Sequence, residues 1–359
     1  MSKVASFEIE FRQYLDHQGR IVNEPLPDFA DDPADLVPLY ELMTRTRVFD
    51  TKAIALQRTG KLGTYASCLG HEAIHVAIGA AMREEDCFVP MYREYGAQFY
   101  RGVKMSEVLL YWGGDERGSD FSGPKHDFAW SVPIATQCLH AAGAALAYKL
   151  RGEKRVAVGV VGDGGTSKGD FYEAINAAGA FRAPLVMVVV NNQWAISVPR
   201  NKQSGAETLA QKAIAAGLPG IQVDGNDLIA SYDVVHEAVE RARRGEGGTV
   251  IEAITYRLSD HTTADDAKRY RDDKEVKEAE AREPLVRLRK YLTDNGAWDD
   301  GKEQKLREQC AKDVDDAVNE YLNTEIQPPE SMFDYLFANM PESLRAQREQ
   351  AIEEARENG

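Results

Sequence analysis

Residues 155–192 read RVAVGVV-GDGG-TSKGDFYEAINAAGAFRAP-LVMVVV-NN, and this stretch limits what the 359-residue chain can fold into more than any other. Two β-branched runs of strand length flank a glycine turn and a helix-like stretch, which is the pattern of a βαβ unit. Such a unit sets its strands parallel and side by side, with their C-terminal ends on one edge of a sheet. Asp163 closes the first run and Asn192 follows 29 residues later, so the two meet where open α/β sheets bind ligands.

The residue types say what binds there. Carboxylate and amide oxygens are hard ligands, suited to Mg²⁺ or Ca²⁺. Magnesium is seldom caged by protein alone and shares its octahedron with phosphate oxygens and water. The peptide N–H groups of Gly164 and Gly165, ahead of a helix, can face an anion with no Cβ in the way. Together they make a metal–diphosphate seat. Taken singly, GDG is a common turn and NN a simple strand-end turn signal; their pairing across a strand–helix–strand unit is what points to a ligand. Gly159, Gly162 and Gly164 follow GxxGxG, not the GxGxxG of dinucleotide folds. Lys168 precedes Gly169, so the segment is not a P-loop either.

The rest of the chain extends the same architecture. Helical spacing runs from Leu36 to about Arg58 and from near Gly70 to about Arg83, and DCFVPMY is strand-like. Residues 113–131 are polar and glycine-rich, a loop long enough to suggest function. After Asn192 come a helix (ETLAQKAIAAG), a strand (IQVDG), a helix (SYDVVHEAVERARR) and a strand (TVIEAITYR). This alternation predicts an α/β fold with a doubly wound parallel sheet. The expected divisions are an N-terminal arm and linker (1–35), in which Phe7, Ile9 and Phe11 alternate as a short strand; the α/β domain (36–283); and a helical C-terminal extension (284–359). The acidic end, EEARENG, reads as a solvated tail. A net charge of −15 argues against nucleic acid as a partner, and no apolar run approaches the ~18 residues a membrane span needs. Four scattered cysteines without CxxC read as reduced thiols of a cytoplasmic protein.

His71-Glu72-Ala73-Ile74-His75 spells HExxH, the zinc-metallopeptidase helix signature, with Glu72 as the base. A third ligand is then required. Ile78 and Ala81 stand where a histidine-donating extension would place Gly and His, leaving Glu94 as the carboxylate candidate. That reading also leaves the GDG–NN unit without a purpose.

GDG followed by NN at this distance is similar to the thiamine-diphosphate fingerprint. From about Val48 to Leu292 the chain resembles the α subunit of thiamine-diphosphate-dependent 2-oxo acid dehydrogenases, the decarboxylating first component of pyruvate and branched-chain 2-oxo acid dehydrogenase complexes. RVFDTKAIALQRTGKLGTYA, GHEA, MYREYG, GDGGTSKGDFYEAINAAGAF, NNQWAIS and LAQKAIAAGLPGIQVDGND occur in the family's order. The family holds Gln or His before Glu at GHEA, which accounts for HExxH without zinc. The resemblance implies that Asp163 and Asn192 ligate Mg²⁺ with the Trp194 carbonyl, while Gly164, Gly165, Tyr92 and Arg93 hold the diphosphate. It implies that Ile134 props the bent thiamine, with the main chain near Val132 meeting its aminopyrimidine. Arg257 and His261 fall on the family's active-site loop, where the histidine assists acyl transfer. Thr262 stands where animal relatives carry a phosphorylated serine. The implied partners are a β subunit that completes an α₂β₂ site and a lipoyl-bearing acyltransferase component. The implied substrate is a small 2-oxo acid, pyruvate before the branched-chain acids. An acetoin dehydrogenase α subunit shares the same design.

Overall fold

The structure is a computed structural model and describes residues 2–358, so Met1 and Gly359, the ends of the expected arm and tail, lie outside it. Its strands are β1 (Glu10–Arg12), β2 (Cys87–Val89), β3 (Ala157–Gly162), β4 (Leu185–Asn191), the short pair β5 (Trp194–Ala195) and β6 (Val198–Pro199), β7 (Gly220–Asp224) and β8 (Thr249–Ile254). The helices are α1 (Val37–Arg58), α2 (Glu72–Ala81), α3 (Tyr95–Tyr100), α4 (Met105–Trp112), α5 (Thr136–Arg151), α6 (Gly169–Ala180), α7 (Lys212–Ala215), α8 (Leu228–Arg243), α9 (Asp273–Glu280), α10 (Pro284–Asp294), α11 (Asp300–Leu322), α12 (Ser331–Asp334) and α13 (Glu342–Asn358).

Six strands form a wholly parallel sheet in the order β1-β7-β8-β4-β3-β2. The apolar runs of β3 and β4 are continuous because both faces are covered. Ala157, Val161, Leu185, Met187 and Val189 enter a core with α5 and α6. Val158, Val160, Val186, Val188 and Val190 enter the opposite core with α2 and α8. A third apolar cluster lies beyond α2, where α1, α10 and α11 close over Tyr40, Met43 and Leu288. Tyr40 and Trp298 there both donate to the Glu303 carboxylate.

The chain divides into two compact units between Val318 and Asn319. Residues from 284 onward are largely helical, and α10 and all of α11 up to Val318 belong to the larger unit with the sheet. The N-terminal segment is likewise part of it. β1 adds to the sheet edge beside β7, and Asp227, at the N-cap of α8, accepts the amides of Tyr14 and Leu15 at 2.6 and 2.7 Å. Phe7 and Phe11 are exposed, so their alternation marks no buried strand face. The expected helix of ETLAQKAIAAG shrinks to four residues. Leu209 and Ala210 give their N–H groups to the buried Glu252 carboxylate (2.8 and 3.1 Å), and Thr208 and Gln211 exchange side-chain bonds to each other's backbone. Glu353–Glu357, in the last turns of α13, are exposed.

Candidate active site

Gly162 is paired with Val190 across β3 and β4, and Asn191 with Ile254 across β4 and β8. Asp163, Asn192 and the segment from Thr255 to Arg257 therefore leave the sheet together on its C-terminal edge. Asp163 is buried at the start of a 3₁₀ turn, Asp163–Ser167. α6 begins only at Gly169, so the two glycines lie in this turn and not directly ahead of the helix, as their spacing predicts. The two asparagines part company. Asn191 donates to Glu252 at 2.7 Å beneath the edge. Asn192 stays at the edge, its side-chain oxygen accepting the Trp194 amide at 3.2 Å and its carbonyl the Arg257 amide at 3.2 Å.

The glycines are set by close approach. A Cβ on Gly164 would stand 2.5 Å from the Cβ of Ala195, and one on Gly165 2.5 Å from Val161 and 3.3 Å from Ile134. The β5–β6 hairpin thus lies directly on the turn, and Ile134 lies beside it. Gln193 (φ 74°), Ile196 (φ 55°) and Ala135 (φ 67°) take left-handed conformations around this spot, a strain that persists where surrounding contacts enforce it.

A second group of residues converges on His261. The Arg93 guanidinium donates to the Ser67 carbonyl at 2.6 Å and to the His261 carbonyl at 2.5 Å, and reaches the His261 Nδ1 at 2.9 Å. Arg257 bonds the carbonyls of Trp194, Ile196 and Ser259 and the Tyr270 hydroxyl, and lies 3.4 Å from the same Nδ1. Both arginines are almost wholly buried; both bond carbonyls and the His261 imidazole, Arg257 adds the Tyr270 phenol, and neither bonds a carboxylate directly. The Asp265 carboxylate reaches Arg257 only through the Tyr270 hydroxyl, and buried cations that are not directly paired are costly, so the arrangement favours an incoming anion. Burial, followed by the charges of Arg93 and Arg257, pushes His261 down to about 3. An arginine can only donate, so Nδ1 accepts and the ring proton sits on Nε2. Tyr92 stands edge-on to the His261 ring at 6.4 Å.

Val132 and Ile134 are 49 % and 40 % exposed. They stay beside the cluster because the Ser131 amide donates to the Met91 carbonyl at 2.9 Å, next to Tyr92. The eleven residues that the resemblance assigns to the cofactor site and its loop thus gather at one end of the sheet. Burial raises the Asp163 carboxyl from its ordinary value, and the amide of Gln203 opposes this by donating to it at 2.5 Å. No local sequence signal singles out Gln203, and the same is true of Asp50. That buried carboxylate accepts from the Tyr65 hydroxyl, the Ser67 hydroxyl and the Cys68 amide, and so fixes the loop whose Ser67 carbonyl holds Arg93.

The zinc reading finds no support in the geometry. His71 and His75 are buried with ring centroids 5.5 Å apart. Glu72, the would-be base, is bonded to Arg47 at 2.5 Å and to the Gly70 amide. Glu94 turns to the amides of Met91 and Arg93. Among the described residues no three His, Cys, Asp or Glu side chains are grouped to hold an ion. None of their helices is long and apolar enough to cross a membrane, and all four cysteines are buried and unpaired.

Two buried guanidiniums and a glycine turn stand at the strand ends of a parallel sheet, the edge where open α/β enzymes bind their ligands. The chain's relatives narrow the class. Residues 40–330 match the family described as Dehydrogenase E1 component, and the chain belongs to that family, which depends on thiamine diphosphate. It is 44 % identical over 344 residues to the pyruvate dehydrogenase E1 component subunit alpha of Staphylococcus aureus, covering 95 % of this chain and 92 % of that one. The protein of the same name from Staphylococcus epidermidis is similar to the same extent.

Proposed function

We propose that this chain is the α subunit of a pyruvate-decarboxylating first component, and that it holds Mg²⁺ and the diphosphate of thiamine diphosphate at the ends of β3 and β4. The observation that carries the reading is the pair of buried guanidiniums, Arg93 and Arg257, converging on His261 Nδ1, with Arg257 also bonded to the Trp194 and Ile196 carbonyls of the hairpin that lies on Gly164. Asp163 and Asn192 would hold the ion through hard oxygens, joined by the Trp194 carbonyl. Gly164 and Gly165 would lend N–H groups to the diphosphate, and Tyr92 and Arg93 would grip it; a planar, always-charged fork suits that task. Ile134, seated against the turn, would bend the cofactor, with the main chain at Val132 near its far ring. When bound, the cofactor supplies the electron sink for decarboxylation.

Arg257 is anchored at the root of the loop, where it shapes the site's field. His261 acts beside the reacting centre as a hydrogen-bond donor, because its Nδ1 is engaged and its proton is on Nε2. The exposed Val132 and Ile134 fit a site completed by a β subunit, in an α₂β₂ assembly of the cytoplasm that passes its acyl group to a lipoyl-bearing acyltransferase. Relatives named for pyruvate at this identity support that acid as substrate. The test is co-expression with the β subunit and comparison of pyruvate with 3-methyl-2-oxobutanoate as substrates, each with thiamine diphosphate and Mg²⁺. Faster turnover of pyruvate is expected. A preference for the branched acid would overturn the substrate assignment, and no decarboxylation of either would overturn the function.

A further inference from the structure

The Gln203 side chain lies against Asp163 although it comes from a different stretch of chain, the turn that follows β6. Its Nε2 donates to the Asp163 Oδ2 at 2.5 Å and to the Val198 carbonyl at 3.0 Å. Its Oε1 is buried without a hydrogen-bond partner and lies 3.9 Å from where a Cβ on Gly164 would stand. The residue is clamped from both sides. Its amide donates to the Arg200 carbonyl at 3.1 Å, and its own carbonyl accepts the Ser167 hydroxyl at 3.4 Å. One carboxylate oxygen of Asp163 is thereby occupied, and rotation about its Cβ–Cγ bond is restrained.

We propose that Gln203 is the positioning residue for the metal-binding carboxylate: it holds Oδ2 so that Oδ1 faces the cation, and its orphaned Oε1 accepts from a water of the cation's hydration shell. The inference rests on the reading of Asp163 as a Mg²⁺ ligand. A partly hydrated Mg²⁺ demands near-ideal octahedral geometry, so a carboxylate free to swing binds it less well. Partners that orient a ligand in this way typically contribute about 10- to 100-fold to metal affinity. The hairpin supplies the Trp194 carbonyl and the contact on Gly164, and through its Val198 carbonyl it holds Gln203, so metal, diphosphate turn and hairpin are coupled through one side chain.

The test uses the co-expressed α–β assembly with saturating thiamine diphosphate and Mn²⁺ as the probe, free Mn²⁺ being read by its paramagnetic resonance signal. Gln203→Met keeps the length of the side chain and removes both amide groups; Gln203→Asn keeps the amide and falls one methylene short. Both are expected to raise the Mn²⁺ dissociation constant about tenfold or more, while the melting temperature of the cofactor-free assembly stays as in the parent. Asp163→Ala is expected to abolish the Mn²⁺ site. If either Gln203 variant binds Mn²⁺ as the parent does while Asp163→Ala does not bind it, the positioning role is overturned and the metal reading stands. A lower cofactor-free melting temperature with unchanged Mn²⁺ affinity overturns the positioning role as well, leaving Gln203 as a brace of the hairpin. If Asp163→Ala binds Mn²⁺ normally, the metal reading itself fails.

Discussion

A methyl group added at Gly164 would stand 2.5 Å from the β-carbon of Ala195, with the Ala195 Cα at 3.5 Å behind it. Ordinary carbon–carbon contact needs about 3.5–4.0 Å, so turn and hairpin must part by roughly 1 Å. Neither side yields easily. Gly164 lies in a 3₁₀ turn whose Thr166 hydroxyl is bonded to the Asp163 carbonyl at 2.7 Å, and Ala195 is paired with Val198 in the β5–β6 hairpin. Overpacking of this kind costs about 1–3 kcal/mol, which for a chain of this size lowers the melting temperature by on the order of 1–4 °C. The functional cost is larger than the stability cost. The hairpin carries the Trp194 carbonyl and, through Val198, Gln203, so a displacement of this size misaligns the groups assigned to the metal. Misplacements of about 1 Å near reacting groups cost on the order of 100-fold in rate. The assays are differential scanning calorimetry of the α–β assembly, and pyruvate decarboxylation at saturating cofactor. A Gly164→Ala assembly that melts and turns over like the parent would refute the claim that hairpin and glycine turn are in forced contact.

Three further outcomes are expected. Asp50→Ala removes the acceptor of three buried donors and should destabilise by on the order of 3–5 kcal/mol, measured by chemical denaturation; a change within about 1 kcal/mol would show that water replaces the carboxylate without cost. Burial pushes Glu94 up to about 7. The native state therefore binds more protons than the unfolded chain between about pH 4.5 and 7, and the parent should lose stability relative to Glu94→Gln as pH rises through that window; a constant difference from about pH 5 to 8 would contradict it. His261 has the opposite sign. With its native value held to about 3, the unfolded chain takes up the extra proton below about pH 6.5, and the parent should lose stability relative to His261→Gln as pH falls from about 7 to 5. Melting temperatures at the two pH values check this, and a parallel shift of both proteins would speak against a buried neutral imidazole.

The βαβ unit was legible because its signals are local: two β-branched runs and a glycine turn have few alternatives, and a sheet covered on both faces requires continuous apolar strands. The site residues in short motifs were legible for the same reason. What escaped depends on contacts far apart in sequence. Gln203 reaches Asp163 across 40 residues, and nothing in the local sequence marks that glutamine as different from a solvated one. Asp50 sits on a helix as an ordinary polar residue until the fold brings Tyr65, Ser67 and Cys68 onto it. Helix spacing also cannot show that the carboxylate of Glu252, 43 residues beyond Leu209, fixes the segment ahead of the short helix at residues 212–215 through the Leu209 and Ala210 amides. HExxH carried the opposite lesson: a motif complete in sequence, whose glutamate is engaged by Arg47.

Isothermal titration of the α–β assembly with thiamine diphosphate, and with thiamine lacking the diphosphate, tests the central claim most directly. Binding of the diphosphate form should require Mg²⁺, disappear in Asp163→Ala, and exceed that of thiamine by at least about 100-fold, the worth of two charge-assisted bonds of about 1.5 kcal/mol each. Binding that survives both chelation of the metal and loss of the Asp163 carboxylate would contradict the assignment of this edge of the sheet as a metal–diphosphate seat.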